Sequence, residues 1–271
     1  MILRHAPYED SADFTIGLKP IGEPAWLEGG EADPAARKDP LFANHRQIVW
    51  GETPASLAGQ DEVLELVEAA LGPAPRDLTL PALYAAARRT PDDLVLMEKR
   101  EGAWRVSALS LSAPTFFTAH EVLGRGLADI HGPVHGFAER FLARVERIFE
   151  GLRPSLILER RNWSLVNSSE PFTPDPAPIR ARIASIAPAE AGSELFVRVE
   201  RQTLRRLPRT GGALFTIRVW LHPLDALLDD PPRLAAFARA WRAAPGDFRD
   251  YKRLGLYDEL VEGFLRAHGA G

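Results

Sequence analysis

The sequence predicts an α+β fold, a five-stranded antiparallel sheet with helices gathered on one face. Three observations carry this. Period-two alternation marks Asp93 to Lys99, Ala103 to Leu111, Leu156 to Val166 and both arms of LFVRVERQTLRRLPRTGGALFTIRVWLHPL, Leu195 to Leu224. Helical periodicity marks Asp61 to Leu71 and Pro133 to Leu152. The order through the middle of the chain is two strands, helices, then three strands.

The elements follow in chain order. Residues 1–45 are rich in Pro, Gly and acids without sustained periodicity and read as an extended arm, anchored by Ile16, Leu18, Ile21, Trp26 and Leu27. From Asp61 the apolar positions 63, 64, 66, 67, 70 and 71 form a helix stripe that stops at Gly72 and Pro73. Pro81 to Arg89 is a second short helix with proline suited to its first turn. The first strand pair turns at Arg100, Glu101 and Gly102, and Ala119 to Ile130 is helical. In the longer helix, Phe137, Phe141, Val145, Ile148, Phe149 and Leu152 share one stripe, which core packing explains. Glu170 to Gly192 is a proline-rich surface connection. Pro232 to Ala243, Phe248 to Leu254 and Leu256 to Ala267 close the chain as helices. Residues 1–271 thus read as one domain: the arm, a core over 46–228 and C-terminal helices over 229–271.

The hairpin carries more charge than a structural hairpin needs. Arg198, Glu200 and Gln202 share one face of its first strand, and Thr216, Arg218 and Trp220 share one face of its second. A one-residue slip moves every side chain across the sheet, so the two polar sets coincide only if paired residue numbers add to an even total. That register is expected, with Arg198, Glu200, Gln202 and Arg218 in one patch. Ordinary cross-strand ion pairs on a solvated face are the competing reading.

Composition excludes several classes. At 271 residues, 45% hydrophobic and 26% charged, the chain can bury a sizeable core. A formal charge of -4 and a pI near 6.0 give no basic field, so nucleic acid is not an expected partner. No apolar run approaches the roughly 20 residues of a membrane span. The N-terminus lacks a basic n-region and an apolar h-region, so a cytoplasmic protein is expected. With no cysteine, disulfides, iron–sulfur clusters and thiolate-ligated haem are excluded within this chain. Neither a Gly-x-Gly-x-x-Gly nor a P-loop occurs, so no nucleotide cofactor is indicated.

Four segments point further: VERQTLRRLPRTGGALFTIRVW, SLSLSAPTFF, LADIHGPV and RRNWSL. From about His45 to Tyr251 the chain resembles the bacterial family that includes the haem-binding alpha subunit of haem-dependent oxidative N-demethylase. The resemblance implies a PAS-like domain with the ligand between sheet and helices, and the predicted order of elements is compatible with it. It also implies haem b, a small secondary amine such as dimethylamine and oxygen as substrates, and electrons from a separate flavin or iron–sulfur reductase. A non-catalytic haem or small-ligand sensing module is the alternative, because one fold hosts many functions.

Haem iron without a cysteine commonly takes a neutral imidazole. The seven histidines are His5, His45, His120, His131, His135, His222 and His268. His131 is the expected ligand, since it matches the family's Ile-His-x-Pro-Val motif and is flanked by Gly132 and Pro133. His135 is the alternative, although relatives often carry proline there. Asn162, Trp163, Gln202 and His222 are expected to line the cofactor. Glu200, Arg198 and Arg218 are expected to be catalytic, Glu200 holding an amine or a proton and the arginines bound oxygen or a propionate. Tyr251 and Lys252 match a short family motif without an assigned role.

Overall fold

The computed structural model describes residues 5–9, 17–130 and 142–270. Its strands are β1 (Lys19–Ile21), β2 (Trp50–Glu52), β3 (Asp93–Arg100), β4 (Ala103–Ser110), β5 (Ile157–Val166), β6 (Phe196–Arg206) and β7 (Ala213–Pro223). They form an antiparallel sheet in the order β1-β5-β6-β7-β3-β4-β2. The α+β class stands, and the five longer strands lie where alternation placed them. The sheet nevertheless has seven strands rather than five. The two additions are three residues each, too short to show a period. Lys19, Pro20 and Ile21 pair with Glu159, Leu158 and Ile157, while Trp50, Gly51 and Glu52 pair with Ser110, Leu109 and Ala108.

The arm is not extended throughout, because Pro34–Asn44 is a helix. Asp33 caps it by accepting from Ala36 N at 3.2 Å, and Pro34 occupies the first turn. Its sequence hides it: Pro40 lies inside, and a lysine, Lys38, is buried where an apolar stripe would be sought. Trp26 does anchor the arm, fully buried, with its carbonyl accepting from Arg201 Nη1 at 2.9 Å.

The chain divides into two compact units, each assembled from separate segments. The first combines Met1–Gly17, Arg161–Glu200 and Val219–Gly271. Its core packs Tyr8, Trp163, Phe237, Trp241 and Phe248 against Val197 and Val199 of β6. The C-terminal helices Pro231–Ala243, Gly246–Lys252 and Asp258–Ala267 supply much of that layer. Each aromatic side chain buried there contributes on the order of 2–3 kcal/mol.

The second unit combines Leu18–Arg160 with Arg201–Arg218. Helix Leu57–Leu71 extends the expected stripe by a turn and ends at Gly72, whose φ of 87° suits glycine. Its Val63 and Val67 are fully buried, as are Leu94 and Leu96 of β3. From the same helix Glu62 reaches the hairpin turn, accepting from Arg209 N at 2.6 Å, Thr210 N at 2.8 Å and Thr210 Oγ1 at 2.6 Å.

Ala119 to Ile130 resolves into two short helices, Ala119–Val122 and Leu127–Ile130, separated where Gly124 takes a φ of 76°. The first opens on a capping box between Thr118 and Glu121. Of the longer helix, Ala143–Gly151 is present, with Phe149 buried. His131 and His135 lie outside the described residues.

Candidate functional site

The hairpin register is odd, not even. Leu207 N donates to Gly212 O at 2.8 Å, and the hydroxyls of Thr203 and Thr216 meet at 2.7 Å. Thr203 therefore shares a face with Thr216, and alternation puts Arg201 and Arg218 on that face as well. Arg198, Glu200 and Gln202 fall on the opposite face of β6. The expected four-residue patch is thus split. The turn decides this, because its length between Arg206 and Ala213 sets the pairing and composition does not reveal it.

Three of the expected residues, Arg198, Glu200 and Asn162, form a tight group with Lys252. Arg198 is almost fully buried, and its Nε donates to Glu200 Oε1 at 3.1 Å. Asn162 of β5 donates a side-chain hydrogen bond to the same carboxylate, and Lys252, at the end of helix Gly246–Lys252, adds a second cation. Burial alone would raise the Glu200 carboxyl; Lys252, Arg198 and the bonds from Arg198 and Asn162 outweigh it and hold it at about 2. Glu200 is therefore a permanently ionised carboxylate. The other end of the Asn162 side chain differs: its Oδ1 is buried and has no hydrogen-bond partner.

Beside this group β7 alternates sharply. Phe215, Ile217, Val219 and Leu221 are half-buried, whereas Leu214, Thr216, Arg218 and His222 are buried. Trp220 packs on the core that contains Val197 and Val199, so Val219 and Leu221 share the side of Glu200.

The remaining expected residues sit elsewhere. Arg218 lies 3.8 Å from Glu31 and beside Asp92, a carboxyl pushed up to about 6 by burial despite Arg218, Lys38 and Arg201. Asp92 is completely buried, and apart from a weak interaction with the Thr216 side chain its oxygens have no hydrogen-bond partner. Lys38 donates to the Asp92 carbonyl at 2.6 Å and to Ala87 O at 2.8 Å, so this is a buried ionic group behind the arm. Trp163, expected against the cofactor, belongs to the aromatic core, with its ring centroid 5.8 Å from those of Phe237 and Phe248. His222 shares the face of Trp220, as alternation implied, and is buried with both ring nitrogens unpartnered. Burial lowers its pKa, with His5 and Arg233 adding to the effect, so the imidazole is neutral. Gln202 is half-buried on the face of Glu200. Lys252 is the residue that sequence reasoning left without a role, although its match to a family motif was the available signal.

A family model described as haem-dependent oxidative N-demethylase, alpha subunit-like, matches residues 68–262. The chain belongs to that family. The match takes in β3 to β7 and every residue of the Asn162, Arg198, Glu200 and Lys252 group. A demethylase-like alpha subunit is named for its dependence on haem, and two observations fit such a group. The half-buried apolar side chains of β7 offer contact to a flat macrocycle, and the orphaned Asn162 Oδ1 leaves an acceptor for something bound near it. Among the described residues no cluster of three or more His, Asp or Glu could hold a metal ion. None of their helices is long and apolar enough to cross a membrane.

Proposed function

We propose that this chain is a haem-binding oxygenase component that removes a methyl group oxidatively from a small secondary amine such as dimethylamine. The observation that carries the reading is the group built by Asn162, Arg198, Glu200 and Lys252, inside the span that matches the family. It combines an ionised carboxylate, a pair of cations and an unbonded acceptor in one part-buried place.

Overall, a secondary amine, dioxygen, a pair of electrons and a pair of protons give a primary amine, formaldehyde and water. Bound haem, taken to be haem b, would supply oxygen activation. His131 is our choice of iron ligand, on the family motif, with His135 as the alternative. Val219 and Leu221 would offer apolar side chains to the macrocycle. Arg198 and Lys252 would supply positive charge to offset negative charge developing on reduced oxygen. Glu200 fixes that pair of cations in position. The electrons come from a separate flavin or iron–sulfur reductase, since this chain contains no cysteine.

Titrating the purified protein with haemin tests the reading. A Soret band saturating at one haem per chain, and formaldehyde formed from dimethylamine with a chemical reductant, are expected. The lack of a saturable Soret band overturns it.

A further inference from the structure

Helix Pro231–Ala243 buries Phe237 and Trp241 in the aromatic core of the first unit and leaves Ala235 and Arg239 exposed. Along that outer side runs a groove of about 770 Å³, built entirely within the same unit. Leu234, Ala235 and Ala238 make its apolar stretch, and Arg239 and Arg242 continue the same side toward the helix C-terminus. His268, just past helix Asp258–Ala267, belongs to the facing wall. Leu234 and Ala238 are only 6% and 4% exposed, so the apolar floor is recessed and receives an inserted chain better than a flat surface. The volume is in the range of small-molecule sites.

Most polar groups along the groove are already engaged. Arg242 holds Glu262 through Nε at 3.1 Å and Nη2 at 2.8 Å, and its Nη1 donates to Ala270 O at 3.0 Å. His268 Nδ1 donates to Phe264 O at 2.9 Å, since a carbonyl only accepts. Arg239 differs: among the described residues it makes no hydrogen bond or ion pair. No acidic residue lines the groove. It therefore presents one uncommitted positive charge at one end of an apolar trough. Helices, not a strand, supply the walls, so an extended peptide finds no ladder to join.

We propose that this groove binds a medium-chain aliphatic monocarboxylate, with its carboxylate on the Arg239 guanidinium and its alkyl chain lying along Ala238, Ala235 and Leu234. The flat guanidinium matches the two oxygens of a carboxylate with paired N–H donors. Helix rise limits the tail, because Arg239 and Pro231 are about 12 Å apart along the axis, which suits a medium chain and not a long one. Each methylene buried in the trough strengthens binding by up to about fourfold. The site is separate from the demethylase reading, since none of its residues belongs to the group of Asn162, Arg198, Glu200 and Lys252.

Calorimetric titration of the full chain without haem, using decanoate, acetate and decyltrimethylammonium, tests the proposal. Decanoate should saturate at one per chain, acetate should give no measurable binding, and decyltrimethylammonium should bind at least about tenfold more weakly than decanoate. Arg239→Gln should weaken decanoate about tenfold, and Ala235→Glu, which sets a carboxylate in the path of the tail, should abolish its binding. Both positions are exposed, so the fold survives either change, and circular dichroism checks that it does. Absence of saturable decanoate binding, equal affinity for decanoate and decyltrimethylammonium, or undiminished decanoate affinity in Arg239→Gln overturns the assignment. Sedimentation of the protein with phosphatidylglycerol vesicles that decanoate does not reverse would give the groove to a membrane surface and overturn it equally.

Discussion

Glu200 shows how far one residue's environment can depart from its sequence context. Its neighbours in VERQ suggest a surface ion pair, worth little. The fold instead surrounds it with Arg198, Asn162 and Lys252, drawn from β6, β5 and the helix Gly246–Lys252. A carboxyl held at about 2 in the folded state contributes stability above its ordinary range, and loses it as pH falls from about 4.5 toward 2. Glu200→Gln should therefore lower unfolding free energy at pH 7 by about 3 kcal/mol, with the deficit vanishing toward pH 2. Urea titrations at several pH values measure this, and a deficit independent of pH would refute it. Arg198 and Glu200 were legible as functional candidates from charge on an alternating strand. Lys252 was not, because nothing local ties a residue at a helix end to a strand some fifty positions earlier.

At the scale of elements, the long strands and helices that periodicity marked are present, except that the first part of Pro133 to Leu152 lies outside the described residues. What sequence reading missed shares one physical cause. Three-residue strands and a helix with an internal proline and a buried lysine have no period to read. The hairpin is more instructive, since alternation gave both faces correctly and only the pairing between strands was wrong. Its turn is held from outside by Glu62, which accepts three hydrogen bonds from Arg209 and Thr210. Glu62→Gln exchanges one accepting oxygen for a donor facing backbone N–H groups. A loss of about 1–3 kcal/mol is expected, with faster amide exchange at Arg209 and Thr210. Unchanged protection at those two amides would show that the turn holds its register without the helix.

At the scale of the whole molecule, Asp92 is a carboxyl whose burial outweighs its nearby cations. Its folded pKa of about 6 lies above the ordinary carboxylate value, so the folded state binds the extra proton and stability falls as pH rises from about 4 to 6. Asp92→Asn should abolish that fall. The variant should match the wild type near pH 4 and exceed it by up to about 3 kcal/mol above pH 6.5. Thermal melts across this range test it, and a variant less stable than the wild type at pH 7 would show that Arg218 and Lys38 depend on the ionised carboxylate. No hydropathy pattern announces such a group, because Asp92 precedes a strand in a run that reads as an ordinary polar turn.

The three-residue strands at the ends of the sheet also govern how this chain can meet another. A neighbouring polypeptide seeking to extend β1 or β2 would find only a few backbone groups to join, and in β1 one of the three residues is proline, which has no N–H to offer. Strand addition onto β1 or β2 themselves is therefore disfavoured. A polypeptide that met the sheet at these two strands would have to recognise side chains instead, so charge reversal at the surface would weaken such a contact more than a strand-mimicking peptide would.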